Sequence, residues 1–244
     1  MSKKAKVTQQ FDKLNLLSMA TEWFSKVEVS EEEKKKRALL ALDYCDIIIM
    51  LFLMITEQEY EREECIKFAE ERLRILAERE LGRESIAYIN EWAKIKAVYI
   101  VDETYEKLEN EIEDISIEEE EAEKDNKEPT KEKILNFEEE GVQIPESEYW
   151  TSDFRALKIG IELSTTVYNF KELSDAIDAG KTRKVWMTES DDRVRETHDA
   201  THGVDIPINE FFTVGVSSML MPGDIVHGAE LKEICNCRCH LVCY

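Results

Sequence analysis

Lys184-Val-Trp-Met-Thr188, Ser190-Asp-Asp-Arg-Val-Arg-Glu-Thr-His-Asp-Ala-Thr-His-Gly203 and Cys235-Asn-Cys-Arg-Cys239 decide how this chain is read. The first stretch has strand character. In the second, Ser190 fits an N-cap, with Asp191 and Asp192 suited to the positive end of a first helical turn. That predicts a helix to about Thr201, ending at His202-Gly203. His198 and His202, four apart, then share a helix face with Arg195. The third reads as part of a strand over residues 234–243, on which Cys235, Cys237, Cys239 and Cys243 alternate onto one face. Residues 184–244 hold all 4 histidines and four of the 6 cysteines of the chain.

Histidine from a helix and thiolates from a strand could form a Cys/His zinc site. The candidate ligands are Cys237 and Cys239 with His198, and His202 or Cys235 as the fourth. Structural zinc pairs usually separate their cysteines by two to four residues, so that a turn can bring two sulfurs round one ion. Cys-x-Cys is tighter. Two other readings therefore stand beside zinc: small buried thiols packing on the inner face of a strand, and a redox pair. A nuclease-like arrangement can also be built, with His198 and His202 as base and acid and Arg195 on phosphate. The chain has no Gly-rich phosphate loop, no His-Glu-x-x-His and no nucleophile elbow, so the expectation is a protein that is not an enzyme.

The 244 residues suffice for one good core, or a modest core with a helical extension. A net charge of −22 argues against holding naked nucleic acid by neutralising phosphates. Residues 101–148 alone carry 20 Asp and Glu against 5 Lys. Such a block reads as a solvated face or linker. The N-terminus lacks the apolar core of a signal peptide. The longest apolar run, residues 47–55, is too short to span a bilayer and reads as a buried helix, so no membrane partner is expected. Cysteines without a secretion signal imply a reducing compartment, where thiol or metal chemistry is favoured over disulfides.

Helical periodicity predicts amphipathic helices over residues 8–28 and 31–55. Further helices carry the stripes Cys65, Ala69, Leu73, Leu76 and Ala93, Ala97, Ile100, Thr104, Leu108, Ile112, Ile115, with Gly82 between them. Residues 118–140 read as an exposed connector, low in apolar content and holding Pro129. After Trp150 a helix resumes to about Ala179 and stops at Gly180. The expected fold class is α+β: a mostly helical N-terminal half (1–117), an acidic connector (118–149) and a small, loop-rich α+β C-terminal domain (150–244).

The ordered set Trp186, Asp192-Arg193-Val194-Arg195, His198, Gly203, a Phe near 211, a Pro near 222 and Asn236-Cys237-Arg238-Cys239 resembles the phage head morphogenesis domain, the Mu F-like minor head protein family. The resemblance covers residues 150–244 and is strongest over 184–239. Members commonly carry Arg-Thr-Glu in the upstream helix, followed by Tyr-Asn or Ala-Asn; this chain has Ile159-Gly-Ile-Glu162 and then Tyr168-Asn169. His202 stands where many members have Asp or Asn. The resemblance implies a minor capsid component, present in the host cytoplasm during assembly and then in the virion head, with portal and capsid or scaffold proteins as partners. Two alternatives are an enzyme acting on nucleic acid or a host target through His198 and His202, and a metal-dependent interaction module domesticated from a prophage.

Overall fold

The computed structural model describes residues 11–57, 60–84, 86–125, 133–138, 140–189, 191 and 193–244, with backbone alone over 111–125. Its class is α+β, with long helices first and short antiparallel sheets at the end.

Helix α1 (Lys13–Ser25) starts where the Asp12 carboxylate accepts from the backbone N–H groups of Leu14 and Asn15 at 3.0 and 2.9 Å. It buries Leu16, Ala20 and Phe24, whereas Leu14 stays exposed. Three glutamates open α2 (Glu31–Glu57), matching the positive end of its dipole. By length and composition α2 could cross a membrane, yet 56% of its apolar window is buried inside this fold. Helix α3 (Arg62–Leu81) opens on a reciprocal Glu61–Glu64 capping box and closes at Gly82, whose φ of 64° is the left-handed C-cap conformation. Cys65, Ala69, Leu73 and Leu76 form its buried stripe as their spacing predicts. Helix α4 (Ala87–Asp125) buries Ala93, Ala97, Ile100 and Thr104; the Ile112 and Ile115 side chains lie outside the described residues.

The acidic connector takes a different form from the one its composition suggests. Residues 118–125 continue α4, and residues 126–132 and 139 lie outside the described set. Strands β1 (Ile134–Phe137) and β2 (Val142–Pro145) pair as an antiparallel hairpin, followed by a single turn, α5 (Glu146–Tyr149). Val142 and Ile144 alternate inward onto Phe154, so this part of the connector is folded rather than solvated.

Helix α6 (Asp153–Asp178) begins at Ser152, whose hydroxyl accepts from Arg155 N at 3.1 Å, and ends just before Gly180, as its sequence predicts. Its main partner is α2, expected in a separate domain. The two helices touch backbone to backbone at Gly160, where a Cβ would fall 2.3 Å from the Ala41 carbonyl oxygen. One buried apolar cluster runs from Leu16 through α2, α3, α4 and α6 to Cys243, so packing is continuous across the expected boundary.

After α6 come β3 (Arg183–Met187), the four-residue α7 (Glu196–Asp199), β4 (Asp205–Pro207), the β5–β6 hairpin (Phe212–Val214, Ser217–Met219), a 3₁₀ turn (Leu231–Glu233) and β7 (His240–Cys243). Strand β3 is central in the order β4-β3-β7 and antiparallel to both neighbours. Two expectations are corrected here. The helix predicted from Ser190 is confined to residues 196–199, because Arg195 is still extended with ψ 146°; Ser190 and Asp192 lie outside the described residues. The terminal strand begins only at His240, because Asn236 adopts φ 55° and turns the chain.

Candidate metal centre

The turn at Asn236 provides what a Cys-x-Cys strand lacks. It follows the 3₁₀ turn, with Cys237 N donating to the Ile234 carbonyl at 3.1 Å, and it brings the Cys237 and Cys239 side chains to the same point. His198 meets them from α7. Its Nδ1 lies 3.2 Å from Cys239 Sγ and 3.6 Å from Cys237 Sγ. All three donor atoms fall within 4.8 Å of one another, and all three residues are buried, His198 being 1% exposed. Two bonds of ordinary zinc–nitrogen and zinc–sulfur length at a tetrahedral angle separate N from S by about 3.6 Å. The cluster fits a metal ion by donor chemistry and by spacing.

The sulfurs are electrostatically unequal. The hydrogen bond from Cys239 holds Cys237 well below the usual thiol range against the opposing effect of burial, and His198 adds to the lowering. The same bond and burial push Cys239 far up. Burial disfavours the charged imidazole of His198, but the contact with Cys237 outweighs it and the pKa lies above 6.5. The shared proton between the two sulfurs is thus easily given up, and a soft divalent ion is the species that could replace it.

Two sequence candidates for the fourth ligand lie elsewhere. His202 follows α7 instead of sharing its face; it is exposed, and its Nδ1 accepts from Thr188 N at 3.1 Å. Cys235 sits on the far side of the Asn236 turn, its Sγ 3.9 Å from the Tyr99 hydroxyl. Burial pushes its thiol up to about 11.

Other residues of the resemblance, among those the structure describes, build the frame. Trp186, fully buried on β3, stands edge-on to His198 with ring centres 5.5 Å apart, and against Phe212 at 5.4 Å. Gly203, at φ 71°, reverses the chain so that its N–H donates to the Trp186 carbonyl at 2.8 Å. The Arg195 guanidinium, a phosphate clamp in the nuclease-like reading, donates instead to the Cys235 carbonyl. Arg238 grips Asp191 with two parallel bonds of 2.7 and 2.6 Å, and its guanidinium lies 5.8 Å above the Trp23 ring of α1. That bond keeps the Asp191 carboxyl below its ordinary range.

Two more contributors complete the site: Glu233, which carries no signal in the sequence, and Asn169, which entered only as part of Tyr168-Asn169 in the resemblance. Glu233, 1% exposed, places Oε2 3.1 Å from His198 Nε2. Asn169 on α6 donates to the carbonyls of Pro222 and Cys239 at 3.2 and 3.1 Å and accepts from Leu241 N at 3.0 Å. It thereby ties the cysteine turn to the long helix. Glu162, the glutamate that the resemblance singled out, pairs with Lys96 of α4.

Protein-family profiles, curated proteins and solved structures gave no match to this chain. The likeness to phage head proteins therefore rests on the ordered residues alone.

Proposed function

We propose that this chain is a minor head protein of a phage or prophage, and that residues 183–244 are a rigid docking knob pinned by zinc on His198, Cys237 and Cys239. One observation carries the reading. Trp186, His198, Gly203 and Asn236-Cys237-Arg238-Cys239, the residues on which the family resemblance rests, are spread over more than fifty positions yet meet around one cluster, with Trp186, His198, Cys237, Arg238 and Cys239 buried in it and Gly203 and Asn236 turning the chain at its edge. An ordered set of residues that folds into one unit is expected of a structural signature. Burial of the histidine and both sulfurs supports a structural role over a catalytic one, since a reacting substrate needs access to the acting groups.

In this reading zinc supplies a cross-link between α7 and the terminal turn, and its binding free energy is folding free energy for the knob. The chain's own residues do the rest. Arg195 and Asn169 fix the backbone of the cysteine turn, and Arg238 anchors it to Asp191. Portal and capsid or scaffold proteins are the proposed partners. Met50 and Leu53, three residues apart on α2, are 54% and 38% exposed and offer apolar surface to such a partner. The net charge of −22 suits a component that sits beside packaged DNA without holding it. Localisation in the host cytoplasm during assembly, then in the virion head, follows from the same proposal.

The test is mass spectrometry of purified procapsids and virions from the source phage or lysogen. Peptides of this chain at low copy together with portal protein are expected. Absence from both particles, with the protein free in the lysate, would overturn the head reading and put the enzyme and domesticated-module readings first. Elemental analysis of the full chain tests the zinc separately, with about one ion per chain expected from a single three-residue cluster.

A further inference from the structure

The two ring nitrogens of His198 have different surroundings. Nδ1 faces the two sulfurs, while Nε2 lies 3.1 Å from Glu233 Oε2. The same oxygen accepts from the Thr197 hydroxyl at 2.7 Å. Side-chain exposure is 1% for His198 and 2% for Glu233, so water competes for neither contact. A metal ion held by Nδ1 beside Cys237 and Cys239 requires the ring hydrogen on Nε2, where Glu233 Oε2 is placed to accept it.

The surroundings hold Glu233 in that position. Gly215, in the β5–β6 turn at φ 60°, passes so close that a Cβ would lie 3.0 Å from Glu233 Oε1 and 3.1 Å from Thr197 Cγ2. The turn closes over the carboxylate because residue 215 has no side chain. A buried carboxylate is costly unless its partners compensate, and Thr197 and His198 are the partners supplied here. Trp186 stands edge-on to the same imidazole.

We propose that Glu233 is a positioning residue for the metal centre. It holds the Nε2 hydrogen of His198, orients the ring and raises its basicity, so that Nδ1 is offered to a soft divalent cation beside Cys237 and Cys239. The inference rests on the metal-binding reading of the cluster and gives Glu233 no direct contact with the ion.

The experiment compares the full-length wild type with Glu233→Gln and Glu233→Ala. Zinc affinity is read by competition with a chromophoric chelator, and site geometry by the absorption spectrum of the cobalt(II)-loaded protein. Glu233→Ala should weaken zinc binding about 10–100-fold, the usual effect of removing an outer partner of a ligating histidine. Glu233→Gln, whose amide oxygen still accepts from Nε2, should fall between it and the wild type. The cobalt ligand-field bands should shift in Glu233→Ala while the thiolate charge-transfer band persists, because both sulfurs remain. If Glu233→Ala does not fold, Glu233→Gln should still bind zinc measurably more weakly than wild type. Wild-type affinity and an unchanged cobalt spectrum in whichever variants fold would overturn the role of Glu233 and leave the metal centre standing. A wild-type chain that takes up neither zinc nor cobalt would overturn the metal centre and this inference with it.

Discussion

The helical part and the last sixty residues bury apolar and polar side chains in different proportion: the helices hide a few charged groups, Arg37, Lys96 and Arg155 among them, within a mostly apolar core. Helix α2 buries Ala38, Leu40, Ala41, Leu42, Cys45, Ile48, Leu51, Phe52 and Ile55, and pairs such as Lys13–Asp46 and Arg79–Asp43 sit at the exposed rim. Exposed pairs of that kind contribute about 0–1 kcal/mol. The C-terminal part buries Lys184, Thr188, His198, Thr201, Ser217, Asp224, Glu233, Arg238 and His240. Its strands run three to five residues, in sheets of two or three. Sheets that small hide too little apolar surface to stand alone, so matched polar contacts carry part of the load. The cysteines make the same contrast. Burial pushes the Cys45 thiol up to about 12, and its Sγ donates only to the Asp153 carbonyl at 3.8 Å. Cys237 is just as hidden, yet its hydrogen bonds with Cys239 and His198 push it the other way. Burial alone silences a thiol; a neighbour able to hold its proton suits it to metal binding.

Metal removal should break the comparison most widely. Treating the full chain with a strong chelator is expected to cost several kcal/mol, because structural zinc contributes its binding energy to folding. The loss should be local. Hydrogen exchange should speed up over residues 183–244 while α2 and α3 keep their protection, and iodoacetamide should then label Cys237 and Cys239 but leave Cys45 untouched. Equal loss of protection in α2, or labelling of Cys45 at the same rate, would show that the two parts do not differ in what holds them.

A smaller effect comes from the helical side. Gly160→Ala would place a methyl 2.3 Å from the Ala41 carbonyl oxygen and 3.0 Å from Cys45 N, both backbone atoms of α2. The helices must separate, at a cost of about 1–3 kcal/mol for overpacking. Urea denaturation should show a lower midpoint, and the zinc content of the folded protein should stay at the wild-type level. A variant as stable as wild type would contradict the close α2–α6 seam, and one that lost its metal would tie the two parts more tightly than their contacts imply.

Much of the helical part is legible in sequence because its signals are local. The stripe Cys65, Ala69, Leu73, Leu76 needs only the helical period, and Gly82 and Gly180 mark ends through a backbone conformation that glycine adopts without strain. In the site the local signals mislead. Ser190-Asp-Asp looks like a helix start, yet the extended Arg195 delays α7 to Glu196 and parts His202 from His198. The alternating cysteines look like a strand, although Asn236, a residue enriched in the left-handed region, carried the opposing signal. Val142 and Ile144 alternate as a strand should, but the acidic run ahead of them hides it. Glu233 could not be picked out: it is one of 54 acidic residues, and only its contact with His198 sets it apart.

The smallest expected effect sharpens the comparison through pH. Lys184 is fully buried on β3, its ammonium donating to the Leu220 carbonyl at 2.7 Å and lying 5.3 Å from the Phe212 ring centre. Burial lowers its pKa from 10.5 to about 8. Below pH 8 the lysine is charged in the folded and unfolded chains alike, and folding carries the full cost of hiding the ammonium. Between pH 8 and 10.5 the unfolded chain holds the proton more tightly, so stability rises with pH through that window. In Lys184→Met that cost is gone, but so are the hydrogen bond and the ring contact, and the opposing terms should leave the variant within about 1 kcal/mol of wild type at pH 7. The wild type should then gain on the variant as pH is raised from 8 to 10, read as the difference between their urea midpoints at each pH. Titrating groups remote from Lys184 cancel in that difference; the Cys243 thiol, whose pKa the Lys184 charge lowers, does not, and Cys243→Ala in both chains removes its contribution. A gap independent of pH would mean that Lys184 keeps its proton in the fold as readily as in water, and that this buried charge is as well matched as the rim pairs of the helices.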